Sequence, residues 1–153
     1  MYNTREHAVR SYRQHQIETA GPERLLLMLY DGLIACLQNA RQALVPEEQR
    51  GQQAPDLAAA HNHLVKAQRL VQELRLSVDP SVDGMGPMLL ELYDLLQAQL
   101  VRANINKDAE LVAELIGEVS QLRDTWAEVF RRTAAAGSPK GGQTRRSTGE
   151  AKP

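Results

Sequence analysis

The chain has 153 residues, a net charge of −1 and one cysteine, which fits a single domain with a core of its own. That charge carries no basic footprint for nucleic acid, and aromatic residues, at 4%, are too few for a base-stacking platform. Cys36 has no partner for an internal disulfide, the first twenty residues hold no secretory apolar segment, and the longest strictly apolar run, 25–30, falls far short of the ~20 residues that span a bilayer, so the cytosol is the expected compartment.

Residues 1–18 are polar, with Val9, Tyr12 and Ile17 as isolated apolar points. They read as an N-terminal arm that must dock or stay mobile, since it has little to bury by itself. The first helix is expected over 22–44. Pro22 suits its first position, Gly21 is an acceptable N-cap, and Glu23 faces the positive end of the helix dipole. Leu25, Leu26, Leu29, Leu33, Cys36, Leu37, Ala40 and Leu44 form its stripe, and Leu27, Tyr30 and Ile34 widen it. The apolar arc then spans roughly 200°, where a helix on one side of a bundle needs about 100°. Either this helix touches two neighbours or part of the arc waits for a partner.

A connection rich in proline and glycine follows, and Asp56 is placed to cap a second helix, near 56–78. Leu57, Ala60, Leu64, Ala67, Val71, Leu74 and Val78 alternate in steps of three and four, as a packing seam does. A third helix, near 87–104, starts at Pro87 and turns Leu89, Leu92, Tyr93, Leu96, Leu100 and Ala103 inward, with Leu90 and Val101 on one flank. Asp108 caps a fourth, near 108–132, whose seam is Val112, Leu115, Val119, Leu122, Trp126 and Val129. The Trp126 indole N–H needs a hydrogen-bond partner if buried. Residues 133–153 lose apolar content and read as a disordered basic tail. The expected architecture is all-α: an antiparallel four-helix bundle over 19–132 between an arm and a tail.

One stretch recurs. Leu26-Leu27-Met28-Leu29-Tyr30-Asp31 aligns with Leu89-Leu90-Glu91-Leu92-Tyr93-Asp94, and Leu33, Leu37 and Ala40 continue it onto Leu96, Leu100 and Ala103. Two related helical hairpins in one bundle would carry such a repeat.

No catalytic, cofactor or metal site is expected. A di-metal bundle needs Glu with His three residues on, and no Glu here has one. His61 and His63 are too close to share a helical face. His63-Leu64-Val65-Lys66 resembles the H-x-x-K motif of histidine phosphotransfer bundles, although Ala67 and Gln68 do not continue it. That leaves phosphotransfer on His63 as an alternative function, and a purely structural coiled-coil adaptor as a third.

Tyr12, Ile17, the block Thr19-Ala20-Gly21-Pro22-Glu23-Arg24-Leu25-Leu26-Leu27-Met28-Leu29-Tyr30-Asp31-Gly32, then Leu92-Tyr93-Asp94, Ala103-Asn104 and Leu122-Arg123-Asp124-Thr125-Trp126 keep the order and spacing of a known family. Over about residues 8–130 the chain resembles the FliS family of flagellar export chaperones. Gly21 stands where that family often has Ser. The resemblance implies a cytosolic helical bundle that binds the C-terminal segment of flagellin in apolar grooves, prevents its polymerisation before export and presents it to the flagellar type III export gate. It further implies an arm, here with Ile17, that covers part of the groove, and a gate contact at Tyr12 with Val9. With the charge and the short apolar runs, no nucleic acid partner and no stable membrane insertion are expected, and the client complex is expected to be one to one. The surplus apolar arc of the first helix agrees with helix-in-groove recognition. Leu27, Tyr30, Ile34, Leu70, Leu90 and Val101 are the expected groove residues; that several of them are simply core is the competing account.

Overall fold

The computed structural model describes residues 21–51, 53–81 and 84–151, and the side chains of 137–151 lie outside that description. Four helices follow one another: α1 Pro22–Leu44, α2 Leu57–Leu76, α3 Met85–Asn106 and α4 Ala109–Ala151, with a 3-10 turn Glu48–Arg50 after α1. The termini are set by local chemistry. Pro22 occupies the first turn of α1 behind Gly21. Asp56 accepts the Ala59 N–H at 3.0 Å and Asp108 accepts that of Leu111 at 3.1 Å, so both return helices begin with the same side-chain cap. α3 starts before Pro87, which therefore sits inside the first turn, where a missing N–H still costs no helical bond. Lys107 ends α3 in the left-handed conformation, at φ 50°. Its ammonium group donates to the carbonyl of Asn104, one of the helix's last acceptors.

The bundle is a square. α1 packs on α2 and α4, and α3 packs on the same two, with α3 against α4 the loosest of the four pairings. Pairs such as His61 with Asn104 and Arg75 with Asp94 fix α2 antiparallel to α3, and Asp31 with Arg123 ties α1 to α4. The core is the set of inward stripes: Leu33 and Leu37, Leu64 and Val71, Leu96 and Leu100, Leu115 and Val119 are all buried. The wide arc of α1 is explained largely by its place between two neighbours, α2 on one flank and α4 on the other. At the sequence level α4 ends near 132; the helical backbone runs on to Ala151. Ala134, Ala135 and Ala136 have the highest helix propensity and carry it off the bundle, with residues 131–136 all exposed.

The repeated Leu-Tyr-Asp does the same work twice. The Tyr30 and Tyr93 hydroxyls meet at 2.7 Å across a separation of 63 residues, which is the offset of the repeat itself. Equivalent atoms in contact place a pseudo-two-fold axis between them. The following aspartates then point sideways, Asp31 to Arg123 of α4 at 2.9 Å and Asp94 to Arg75 of α2 at 2.7 Å. Hairpin α1–α2 thus corresponds to hairpin α3–α4.

Candidate functional site

Apolar surface is left open in two places. The first is one end of the bundle, where α1 begins and α2 ends. Leu25, Leu26, Leu29, Leu76, Trp126 and Phe130 line a mouth of about 590 Å³ there, and Ser77 and Glu73 bring its polar edge. Beside it a smaller cavity of about 140 Å³, between Leu26, Val78, Met85, Leu89, Tyr93 and Trp126, lies over the core. The inward stripes simply run out at this end: Leu26, Leu29, Val78, Leu89 and Trp126 are only half-buried. Trp126 stacks on Phe130 with ring centroids 5.5 Å apart.

The floor of the mouth is polar at one point. Trp126 Nε1 donates to the Tyr30 hydroxyl at 3.2 Å, and that hydroxyl shares its proton network with Tyr93. The indole N–H has the partner that burial demands. Three helices, α1, α3 and α4, are joined through these three side chains. Burial raises the pKa of both tyrosines, because a phenolate there would be desolvated.

The second open surface is α3. Met85, Met88, Leu95, Val101 and Ile105 are exposed along it, more large apolar side chains than on any other helix among the described residues. On its α4 flank a groove of about 350 Å³ runs between Leu92, Leu95 and Leu96 of α3 and Val119 and Leu122 of α4, edged by Gln99, Gln121, Thr125 and Glu118.

The six expected groove residues do not gather in these places. Tyr30 is fully buried at the pseudo-axis and is a core residue, because its ring lies under both α3 and α4. Ile34 and Leu70 are half-buried and packed on the core. Leu27 and Leu90 are half-buried, and Val101 is exposed at 38%. None of the six lines the mouth or the α3–α4 groove. Val9, Tyr12 and Ile17 lie outside the described residues. His63 is half-buried on α2. Met88, Leu95 and Phe130, prominent on the open surfaces, were absent from the sequence expectation. The repeat held a signal for one of them, since it sets Leu95 opposite Gly32.

Among the described residues, no helix is long and apolar enough to cross a membrane and no cluster of three His, Cys, Asp or Glu side chains is arranged to hold a metal. What the bundle presents is apolar groove and rim, the surface of a helical binding protein. The chain belongs to the family of the flagellar protein FliS, whose model matches residues 5–133. It is similar to the flagellar secretion chaperone FliS of Bacillus subtilis (strain 168), at 32% identity over 79% of this chain and 84% of that one. The flagellar secretion chaperones FliS of Salmonella typhimurium and Escherichia coli (strain K12) are 28% and 27% identical, over 79% and 73% of this chain and 88% and 78% of theirs.

Proposed function

We propose that this chain is a cytosolic chaperone that binds the C-terminal segment of flagellin, one to one, keeps it from polymerising before export and delivers it to the flagellar type III export gate. It acts by binding, without a catalytic step. The observation that carries the reading is the apolar surface left open on a bundle whose family is that of flagellar secretion chaperones. A client segment that covered it would remove Leu, Met and aromatic side chains from water, at about 1.5–3 kcal/mol for each fully buried one. A few such anchors offset the cost of ordering a disordered segment. Leu27, Ile34, Leu70, Leu90 and Val101 remain proposed contacts, and Val101 is the most accessible of them. Residues 1–18, with Val9, Tyr12 and Ile17, are proposed as the arm and the export-gate contact.

Calorimetric titration with a peptide from the C-terminal segment of the cognate flagellin, beside one from its N-terminal segment, tests the reading. Near one-to-one binding of the C-terminal peptide alone, with a negative heat-capacity change, is expected. Binding of neither peptide would refute it. Val101→Asp should weaken the C-terminal complex while the free bundle still melts cooperatively.

A further inference from the structure

The side of α3 that faces away from the core carries a seam of its own. Met88, Glu91, Leu95, Ala98, Arg102 and Ile105 follow one another in steps of three and four, and all six are exposed. Steps of three and four are what a helix uses to pack along another helix, yet α3 stands at a corner of the square with α2 and α4 behind this face. Ile105, Met88 and Leu95, at 75%, 62% and 58%, are three of the four most open large apolar side chains among the described residues. The ionised side chains of α3 divide in the same way. Asp94, off the seam, is answered by Arg75 of α2 at 2.7 Å. Glu91 and Arg102 lie on the seam, and neither has an ion-pair partner among the described residues. About 16 Å of helix separates these two, so they cannot answer each other within one chain.

The seam is its own complement when reversed. Turned end for end, it sets Met88 against Ile105, Glu91 against Arg102 and Leu95 against Ala98, and every one of these pairs is centred on the peptide bond between Leu96 and Gln97. We infer that this face pairs two copies of the chain, with their α3 helices antiparallel about a two-fold axis at that level. An isologous contact repeats each pair. Two Leu95–Ala98 contacts then sit at the axis, where large against small lets the helices approach. A Glu91–Arg102 contact lies on either side of them, and Met88 with Ile105 closes each end. The charges fix the direction. A parallel pairing would set Glu91 on Glu91 and Arg102 on Arg102, and a slip of one heptad would take each ion off its partner. Polar residues within an apolar seam set orientation and register in this way, at a cost in stability. A foreign segment would need its own match to six positions, whereas a second copy brings that match with it. The seam is about 26 Å long and one helix wide, a contact of the small class that transient complexes use, so the pair should dissociate on dilution. It covers, in the free chain, apolar surface that the bundle leaves open, and it requires no client.

The test is sedimentation velocity of the full chain from micromolar to near-millimolar concentration, with reductant present so that Cys36 stays a thiol. The unmodified chain should show a monomer–dimer equilibrium. Glu91→Arg alone, or Arg102→Glu alone, brings like charges together at both symmetry-related contacts and should weaken the dimer about tenfold or more. An equimolar mixture of the two single variants should pair again, because one copy then brings two cations and the other two anions to the same contacts. Both positions are exposed and both replacements are good helix formers, so helicity and cooperative melting serve as controls. A chain that stays monomeric throughout overturns the pairing; if the two reversals then lower affinity for the C-terminal flagellin segment, the face belongs to the client. A dimer that both reversals leave intact uses another face and overturns it as well. Single variants that are monomeric both apart and mixed show that Glu91 and Arg102 do not meet, which overturns the antiparallel register.

Discussion

The two ends of this bundle are built on different principles. Where α1 ends and α4 begins, most inward residues are small or narrow: Ala40, Ala60, Ala103 and Val112 are fully buried, with Leu44 closing the layer, so the helices close on one another. A polar cluster covers that end. Asn104 Nδ2 donates to His61 Nδ1 at 3.1 Å, Lys107 Nζ donates to Asn104 Oδ1 at 2.8 Å, and the Asp56 amide donates to the Ala43 carbonyl at 2.8 Å. At the opposite end the inward residues are large, with Leu25, Leu26, Leu29, Trp126 and Phe130 around a cavity. Bulk at one end and small side chains at the other give a bundle that is closed on one side and leaves apolar surface uncovered on the other. Closed core and open apolar surface are thus drawn from different turns of the same four helices.

The comparison is sharpened first by truncation. Leu37→Ala or Leu64→Ala, in the fully buried half, should cost about 2–5 kcal/mol in urea unfolding. Leu26→Ala at the half-buried mouth should cost about 1 kcal/mol; equal losses would break the distinction. Two glycines come next. A Cβ on Gly86 would lie 2.5 Å from the Asp79 carbonyl oxygen, so Gly86→Ala must shift the α2–α3 connection and should lose about 1–3 kcal/mol. Gly32→Ala meets only the Leu70 methyl and should gain about 0.5–1 kcal/mol from helix propensity. Removing the Tyr30 hydroxyl should cost about 1–3 kcal/mol, because Trp126 and Tyr93 both lose their partner. Tyr93→Phe leaves the Trp126 bond in place and should cost less. The smallest effect is absent at neutral pH. Both tyrosines have pKa values raised by burial, so the folded state favours the neutral phenols. Their contribution is complete below the unfolded value of about 10 and is lost as pH rises above it. Thermal melts from pH 8 to 11 should fall steeply near the top of that range, and a Tyr30→Phe, Tyr93→Phe double variant should flatten the decline.

Much of the architecture could be read from spacing. The three-and-four seams of α2 and α4 and the Asp56 and Asp108 caps are short-range signals, and each is decided within one helix or one turn. The candidate site was less legible, for a physical reason. An apolar residue looks the same in sequence whether a neighbouring helix covers it or nothing does. Tyr30 is that case: it extends the arc of α1, yet α3 and α4 both reach it. Leu95 is the reverse case, an apolar residue near the seam that is left exposed because the pairing of α3 with α4 is loose. Which of two flanks is covered depends on how closely helices cross, and that is set by pairs of residues far apart in the chain, such as Gly32 with Leu70.

Trp126 gives the molecule a built-in optical reporter. It is the chain's one tryptophan, and it sits at the boundary between mouth and core, stacked on Phe130 on one side and hydrogen-bonded to Tyr30 on the other. Its emission therefore comes from a single position. A segment that seats in the mouth would dry the indole and move the emission maximum to shorter wavelength. Rupture of the bond to Tyr30 would change the spectrum even with the mouth empty. Occupancy and integrity of this end of the bundle can be followed in real time on the unlabelled protein.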